Sequence, residues 1–452
     1  MTDSSFNPEI FKAYDIRGKY GVDFDEQFAE SLGGAVKEYL KAGTLVVARD
    51  LRASSAQLAE KLIVGTSEAG AEIIDLGTAT TPFFYWATQY LNAQGGIMIT
   101  ASHNSENDNG FKIVNGAGVN IGLENGLEQI KKLLRSDLKA GVPRADLGEK
   151  VSSPILTREY TDFIIKASRL KPGEIKLAFM VEDNPLVGKE LAPILQTLAL
   201  TPTAHAPIVT FEFDPDGDRL YVFGQQRNGS TGLTTSKIPA DFILGILAKE
   251  ASGFWTGPKV VHDHRFSRAV LEDIRKYGVH LYPARVGHTF IKQMMRQRRA
   301  DLGAELSGHF YFSETGGSES SVLAMLKLLK ILQKYNCPIE QLIKPFQKYC
   351  RTETAISNDK FPMTKQAQNL NFGEIKKRLK EKFADGEISE LDGLTISYWD
   401  PANPAEAGRG ARWWFNLRPS HTEPLWRLTV EAKDPELLNQ KVAELSALLK
   451  EK

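Results

Sequence analysis

The feature that most restricts the fold is a short apolar run that stops at a cluster of small polar residues, and it occurs repeatedly. Thr44-Leu-Val-Val-Ala48 ends at Arg49-Asp50, and Gly95-Gly-Ile-Met-Ile-Thr100 ends at Ala101-Ser-His-Asn104. Val209-Thr-Phe-Glu-Phe213 runs into Asp214-Pro-Asp-Gly-Asp-Arg219, and Lys259-Val-Val-His262 into Asp263. Runs of this length and composition read as buried strands. Helical signals lie between them. Ser54 or Ser55 caps a segment with Leu58, Leu62 and Ile63 on one face that stops near Gly70, and Thr81-Pro82 opens another that reaches Leu91. With Ala71–Asp75 as a further strand, the first third reads strand, helix, strand, helix, strand, a doubly wound α/β unit with right-handed crossovers.

The unit recurs. Glu174–Val181 reads as a strand, Leu186–Leu198 as a helix and Val209–Phe213 as the next strand; later come strand Lys259–His262, helix Ser267–Tyr277 and the basic helix Ile291–Arg299. Ser321–Tyr335 is amphipathic, and the tail changes character. Leu394–Trp399, Arg412–Leu417 and Leu425–Val430 alternate as antiparallel strands do, and Asp434-Pro435 opens a closing helix. At 452 residues the chain is too long for one core, and four units are expected: 1–150, 151–252, 253–355 and 356–452.

Lys plus Arg equals Asp plus Glu, 56 of each, so no global field favours nucleic acid or an anionic membrane. No apolar run spans a bilayer, and Met1–Pro8 lacks a basic segment leading into an apolar one. Cys337 and Cys350 are too few to staple this chain and read as reduced thiols, which suits a cytoplasmic protein.

Ser102 and His103 stand at a strand's carboxyl end, where open α/β sheets place ligands. Ser, Asn and Asp also make plain turns. Asp214, Asp216 and Asp218 put three carboxylates on alternate residues, hard ligands for Mg²⁺ or Ca²⁺ that repel one another without a cation. The twelfth position from Asp214 is Gln225 where a helix-flanked calcium loop needs glutamate, so Mg²⁺ fits better. Arg418-Pro-Ser-His-Thr422 offers a guanidinium, hydroxyls and amides suited to a phosphate, and Glu305, Ser307 and His309 suit sugar hydroxyls. His262 and His264 lack the further ligands of a tetrahedral metal site, and Arg296, Arg298 and Arg299 read as a solvated helix face.

Together the loops Thr100-Ala-Ser-His-Asn104, Asp214-x-Asp-Gly-Asp-Arg219, Glu305-x-Ser-Gly-His309 and Arg418-Pro-Ser-x-Thr-Glu-Pro424, in this order, resemble the α-D-phosphohexomutases, most closely the phosphomannomutase/phosphoglucomutase group. The resemblance runs from Tyr14-Asp-Ile-Arg-Gly18 to Pro424. It implies three doubly wound α/β domains and a C-terminal α+β domain with a small antiparallel sheet. It implies a phosphoserine at Ser102 that exchanges its phosphoryl group with C1 and C6 of mannose or glucose phosphates through a 1,6-bisphosphate, which also serves as activator. Mg²⁺ would lie on Asp214, Asp216, Asp218 and Ser102, with Arg219 beside it.

By the same resemblance Arg17 and His103 flank the serine, and Lys112 and His309 match the general acid and base. Tyr14, Arg265, His288 and Lys292 face the substrate, Glu305 and Ser307 hold sugar hydroxyls, and Arg418, Ser420, His421 and Thr422 hold the non-reacting phosphate. The protein would be a monomer or homodimer. Phosphoglucosamine mutase and a non-catalytic sugar-phosphate binder are the alternatives. The chain departs from the pattern in four places. Ser105 replaces a usual proline, which predicts a softer serine loop; His421 replaces asparagine or glycine; Arg265 replaces lysine; and Ser313–Ser320 lacks paired aspartates. Only about thirty residues separate Asp183 from Asp214, which predicts a trimmed second sheet with the acidic loop retained.

Overall fold

The computed structural model describes residues 6–134, 154–203, 205, 207–228, 232–254, 256–356, 365–399, 412–420 and 425–450. Four sheets follow one another along the chain. The first contains β1 (Ile16–Lys19), β2 (Thr44–Arg49), β3 (Glu72–Thr78), β4 (Gly95–Ile99) and β5 (Asp108–Asn115), in the order β1-β5-β4-β2-β3. β2 runs parallel to β3 and β4, as the crossover helices Ser55–Glu68 and Thr81–Tyr90 require. Thr80 caps the second of these by accepting from the Phe83 amide. The parallel pattern then ends. β5 returns antiparallel beside β4, so Ser102 lies in the loop of a hairpin between two buried strands.

The second sheet is β6 (Phe179–Val181), β7 (Val209–Phe213), β8 (Leu220–Asn228) and β9 (Gly232–Ile238), with β6 and β7 parallel and the rest antiparallel. It is a single strand-helix unit extended by a meander. The strand expected from Glu174 begins only at Phe179. The amides of Lys176 and Leu177 donate to Gln333 Oε1 at 2.6 and 3.2 Å, which takes them out of the ladder.

The third sheet, β10 (Lys259–Asp263), β11 (His280–Ala284), β12 (Leu302–Ala304) and β13 (Phe310–Phe312), keeps the parallel pairing until β13. The helix Ala240–Ser252 packs against β12 and against the helix Arg268–Arg275. The fourth sheet is wholly antiparallel: β14 (Cys350–Ile356), β15 (Glu387–Ser389), β16 (Leu394–Tyr398), β17 (Trp413–Pro419) and β18 (Trp426–Ala432), in the order β14-β18-β17-β16-β15. Because β14 pairs with β18 through all seven of its residues, the last unit starts at Cys350 rather than at 356.

One apolar core runs through the first three units, from Phe84 through Phe179 and Phe211 to Leu244, Phe266 and Leu326. The fourth unit has its own core around Phe383, Leu394, Phe415, Trp426 and Leu445. Three units thus share buried surface, and the last is joined to them mainly by polar contacts. Cys337 and Cys350 are free, and no helix among the described residues is long and apolar enough to cross a membrane.

Candidate active site

The polar loops of the four units converge on one cleft of about 410 Å³. Its wall contains Arg17, His103, Arg219, Arg265, Glu305, His309 and Arg418. Ser102 is buried behind His103 at the back of the cleft. Its backbone has φ 51°, the left-handed region that non-glycine residues enter at a cost, and it is held there locally. The Ser102 amide donates to Thr100 Oγ1 at 2.8 Å. Arg17 Nη1 donates to Ala101 O and to Asn104 Oδ1.

A second arginine holds the same loop, and sequence reasoning did not single it out. Arg52 donates to the carbonyl oxygens of Ser102, Asn104, Ser105 and Asp108 at 2.6, 2.8, 2.5 and 2.9 Å, while Asp50 pairs with its Nε. The turn expected to be soft at Asn104-Ser105 is therefore anchored by side chains instead of by a proline.

Ser102 Oγ donates to Asp214 Oδ2 at 3.2 Å, so the first hairpin meets the acidic loop between β7 and β8. Asp214, Asp216 and Asp218 are buried and bring one carboxylate oxygen each within 4.8 Å of the others. Gly217 closes the loop at φ 72°; a Cβ there would sit 2.8 Å from Thr80 Cγ2, so only glycine fits against the first unit. Neighbouring units fix the loop further. Thr81 Oγ1 donates to Asp216 Oδ2 and Ser321 Oγ to Gly217 O.

Three buried carboxylates need positive charge. Lys112, on β5, donates to Asp216 Oδ2 and Asp218 Oδ2 at 2.7 and 2.6 Å. Burial opposes its charge, yet the two aspartates raise its pKa well above that of an ordinary lysine. Burial also opposes ionisation of Asp218, but Lys112 and His309 hold its pKa well below the carboxylate range. Asp214 has a looser partner, Arg219, whose Nε lies 3.8 Å from its Oδ2. Burial and repulsion from Asp218 and Asp216 push its pKa well up, and Asp216 Oδ1 has no hydrogen-bond partner among the described residues. Three clustered carboxylates, one of them only loosely paired and one with an unused oxygen, fit a hard divalent cation.

His309 completes the centre from the third unit. Its Nε2 lies 3.2 Å from Asp218 Oδ1, and its Nδ1 faces Ser307 Oγ at 2.8 Å and Glu305 Oε2 at 3.2 Å. Burial works against its charge, but Asp218 and Glu305 outweigh that and lift its pKa to about 9. His103 behaves oppositely. Its ring nitrogen Nδ1 is 3.3 Å from Ser102 Oγ, and the cleft walls with the Arg219 and Arg17 guanidiniums lower its pKa to about 4. One charged and one neutral imidazole therefore flank the serine and its carboxylates.

Glu305 is more tightly held than a free sugar ligand. Its oxygens accept from the Gly287 amide and the Tyr311 hydroxyl. Gly287 itself lies against the Tyr14 ring, where a Cβ would meet Cζ at 2.5 Å. Tyr14 donates to Val286 O and packs edge-on to His288, whose Nε2 has no partner among the described residues. Arg265 chelates Asp263 and reaches Glu353 on β14 at 2.9 Å, linking the third and fourth units. Arg418, by contrast, has no carboxylate within ion-pair reach among the described residues, and Ser420 stands beside it on the cleft wall. Arg427, opposite Arg418 in the β17–β18 register, also lines the cleft. No local motif marks it; only the pairing register brings it there. His421 and Thr422 lie outside the described residues.

Lys292 does not reach the cleft. It is buried between the first and third units, where it pairs with Glu319 at 2.6 Å, donates to Asn120 Oδ1 and lies 3.7 Å from the Tyr85 ring centre. The helix His288–Arg298 presents His288 to the site and turns Lys292 into the interface.

Residues 8–140 match the family model for phosphoglucomutase/phosphomannomutase alpha/beta/alpha domain I, and residues 239–349 match the model for domain III. Across 97% of both chains the protein is 32% identical to a phosphomannomutase of Methanocaldococcus jannaschii. It is 29% identical to a phosphomannomutase of Escherichia coli, over 97% of this chain and 99% of that one. A crystal structure of a phosphoglucomutase/phosphomannomutase family protein from Burkholderia thailandensis superposes with a TM-score of 0.79 at 24% identity, covering 98% of each chain.

Proposed function

As a member of the phosphoglucomutase/phosphomannomutase family this protein is a phosphohexomutase, and we propose that it moves a phosphoryl group between C1 and C6 of mannose or glucose phosphates by way of a phosphoserine at Ser102 and a 1,6-bisphosphate. The observation that carries this reading is Ser102 Oγ, set in a strained backbone 3.2 Å from a buried acidic triad and behind a cleft rich in arginine. A serine with ample positive charge around it suits phosphoryl transfer, which needs positioning and charge neutralisation more than covalent help.

In this reading a sugar hydroxyl attacks the phosphorus on Ser102 and its proton passes to a basic side chain of the cleft, while the Oγ–P bond breaks with its electron pair going to Ser102 Oγ, which takes up a proton from an acidic one. His103, neutral and 3.3 Å from Ser102 Oγ, suits taking the serine proton when Oγ attacks the bisphosphate in the return step, and His309, charged at neutral pH, suits the donating role. Lys112 balances the acidic loop from behind instead of shuttling protons, because both aspartates hold its charge in place. Asp214, Asp216 and Asp218, with Ser102 Oγ alongside, would hold Mg²⁺, which when bound neutralises charge on the transferring group. Arg418 and Ser420 would hold the non-reacting phosphate, and Glu305, Ser307 and His288 the sugar. The 1,6-bisphosphate would also load Ser102 before the first turnover.

A substrate panel tests the assignment. Mannose and glucose 1- and 6-phosphates should interconvert faster than the glucosamine phosphates when Mg²⁺ and a bisphosphate primer are present. Faster turnover of glucosamine phosphates would move the protein to the related mutase, and no turnover of any would reduce it to a binding protein.

A further inference from the structure

A second cleft, of about 670 Å³, opens between the helix Arg268–Arg275 of the third unit and the edge of the fourth sheet. Arg268, Glu272 and Arg275, one helix face, line one side with Lys276; Glu387, Ser397, Trp399 and Arg412 line the other. None of these residues belongs to the active-site cleft.

Its charge is not balanced from within. Glu272 is occupied by Trp399 Nε1, Tyr349 and Lys348. The buried Glu431, whose charge acts on Arg268, accepts the Arg268 amide and Trp414 Nε1 on one oxygen, and its other oxygen has no hydrogen-bond partner among the described residues. Among the described residues the guanidinium of Arg268 makes no ion pair or hydrogen bond. It lies 5.6 Å over the Trp414 ring, and its Nε is buried without a partner. Ser397 Oγ, on the facing strand, is also buried without one. Arg275 and Arg412 are exposed and likewise unpaired among the described residues. Arg268 is half-buried, and the carboxylates of Glu431, Glu387 and Glu272 act on its charge without reaching ion-pair distance. The cleft thus sets four cationic side chains against two acidic ones, Glu272 and Glu387, and its unpaired donors suit an anion.

We propose that this cleft is a second anion site, for a phosphate or pyrophosphate group, held by Arg268, Arg275, Arg412 and Ser397 and separate from the catalytic cleft. An anion here would tie the helix Arg268–Arg275 to the strands β16 and β17. That helix follows Arg265, and β17 carries Arg418, so occupancy would bear on how the fourth unit meets the active site.

Equilibrium dialysis of labelled pyrophosphate against the full-length protein tests this, with Arg418→Gln used to disable the catalytic phosphate position. The Arg418→Gln protein should retain one bound equivalent. Adding Arg268→Gln or Arg412→Gln should weaken that equivalent by about tenfold or more, the loss of one charge-assisted contact. Arg412 is exposed, so its variant folds even if Arg268→Gln does not. The proposal is overturned if Arg418→Gln leaves no bound pyrophosphate, or if the remaining equivalent is indifferent to Arg412→Gln.

Discussion

Arg52 Nη2 lies 2.6 Å from the carbonyl oxygen of Ser102, and the same guanidinium holds three further carbonyls of the loop that carries this serine. Carbonyls fixed from below set the direction of the Ser102 side chain without touching its reactive oxygen. Arg52 is therefore a positioning residue, and its removal should act on turnover more than on binding.

Replacing Arg52 with methionine keeps the aliphatic stem and removes the donors. It should lower kcat about a hundredfold with KM changed far less, because a misplacement near 1 Å costs about that much. Steady-state kinetics on the folded variant decide. A rise in KM at constant kcat would mean that the loop serves the substrate and not the serine.

Lys112→Met leaves Asp216 buried without its counter-charge and Asp218 with only His309 and the more distant Arg219. Breaking such a pair costs about 3–5 kcal/mol, so the variant should melt well below the wild type. Added Mg²⁺ should restore part of the loss and raise the melting temperature of the variant more than that of the wild type. Equal Mg²⁺ responses would argue against a shared cation position.

Arg418→Gln removes a guanidinium that no described carboxylate neutralises. Loss of a charge-assisted contact of about 1.5–3 kcal/mol should raise KM for a hexose phosphate by about ten- to a hundredfold. An unchanged KM would place the non-reacting phosphate elsewhere.

Glu190 supplies a pH test outside the cleft. Its buried carboxyl meets the Thr80 amide and hydroxyl at 2.8 and 2.6 Å, and burial raises its pKa to about 7 against an ordinary 4.5. The folded state therefore binds the proton more tightly than the unfolded chain. The resulting stability is complete below about pH 4.5 and is lost as pH rises through about 7, a total of about 3 kcal/mol. Glu190→Gln should unfold like the wild type at pH 5 and show a smaller fall in stability between pH 5 and 8. Urea titrations at the two pH values with parallel slopes for both proteins would contradict this.

The four loops could be read from sequence because each packs its chemistry into a few consecutive residues. The parallel cores of the first and third sheets were legible too, since buried strands keep continuous apolar runs. Contacts made across long separations were not. Arg52 reaches Ser102 over fifty positions, and Arg427 comes to the cleft only through the β17–β18 register. The shortened β6 depends on Gln333, more than 150 residues away. Lys292 was misplaced for a related reason. The family resemblance put it on the substrate side, but the neighbouring unit offers Glu319 and Tyr85, which bury it instead.

The most direct test of the account is the covalent state of Ser102. Protein incubated with glucose 1,6-bisphosphate and Mg²⁺, then digested and measured by mass spectrometry, should carry one phosphoryl group on the peptide containing Ser102. Excess mannose 6-phosphate should remove it, and Ser102→Ala should never acquire it. A phosphoryl group on any other residue, or active protein that never carries one on Ser102, would contradict the mechanism.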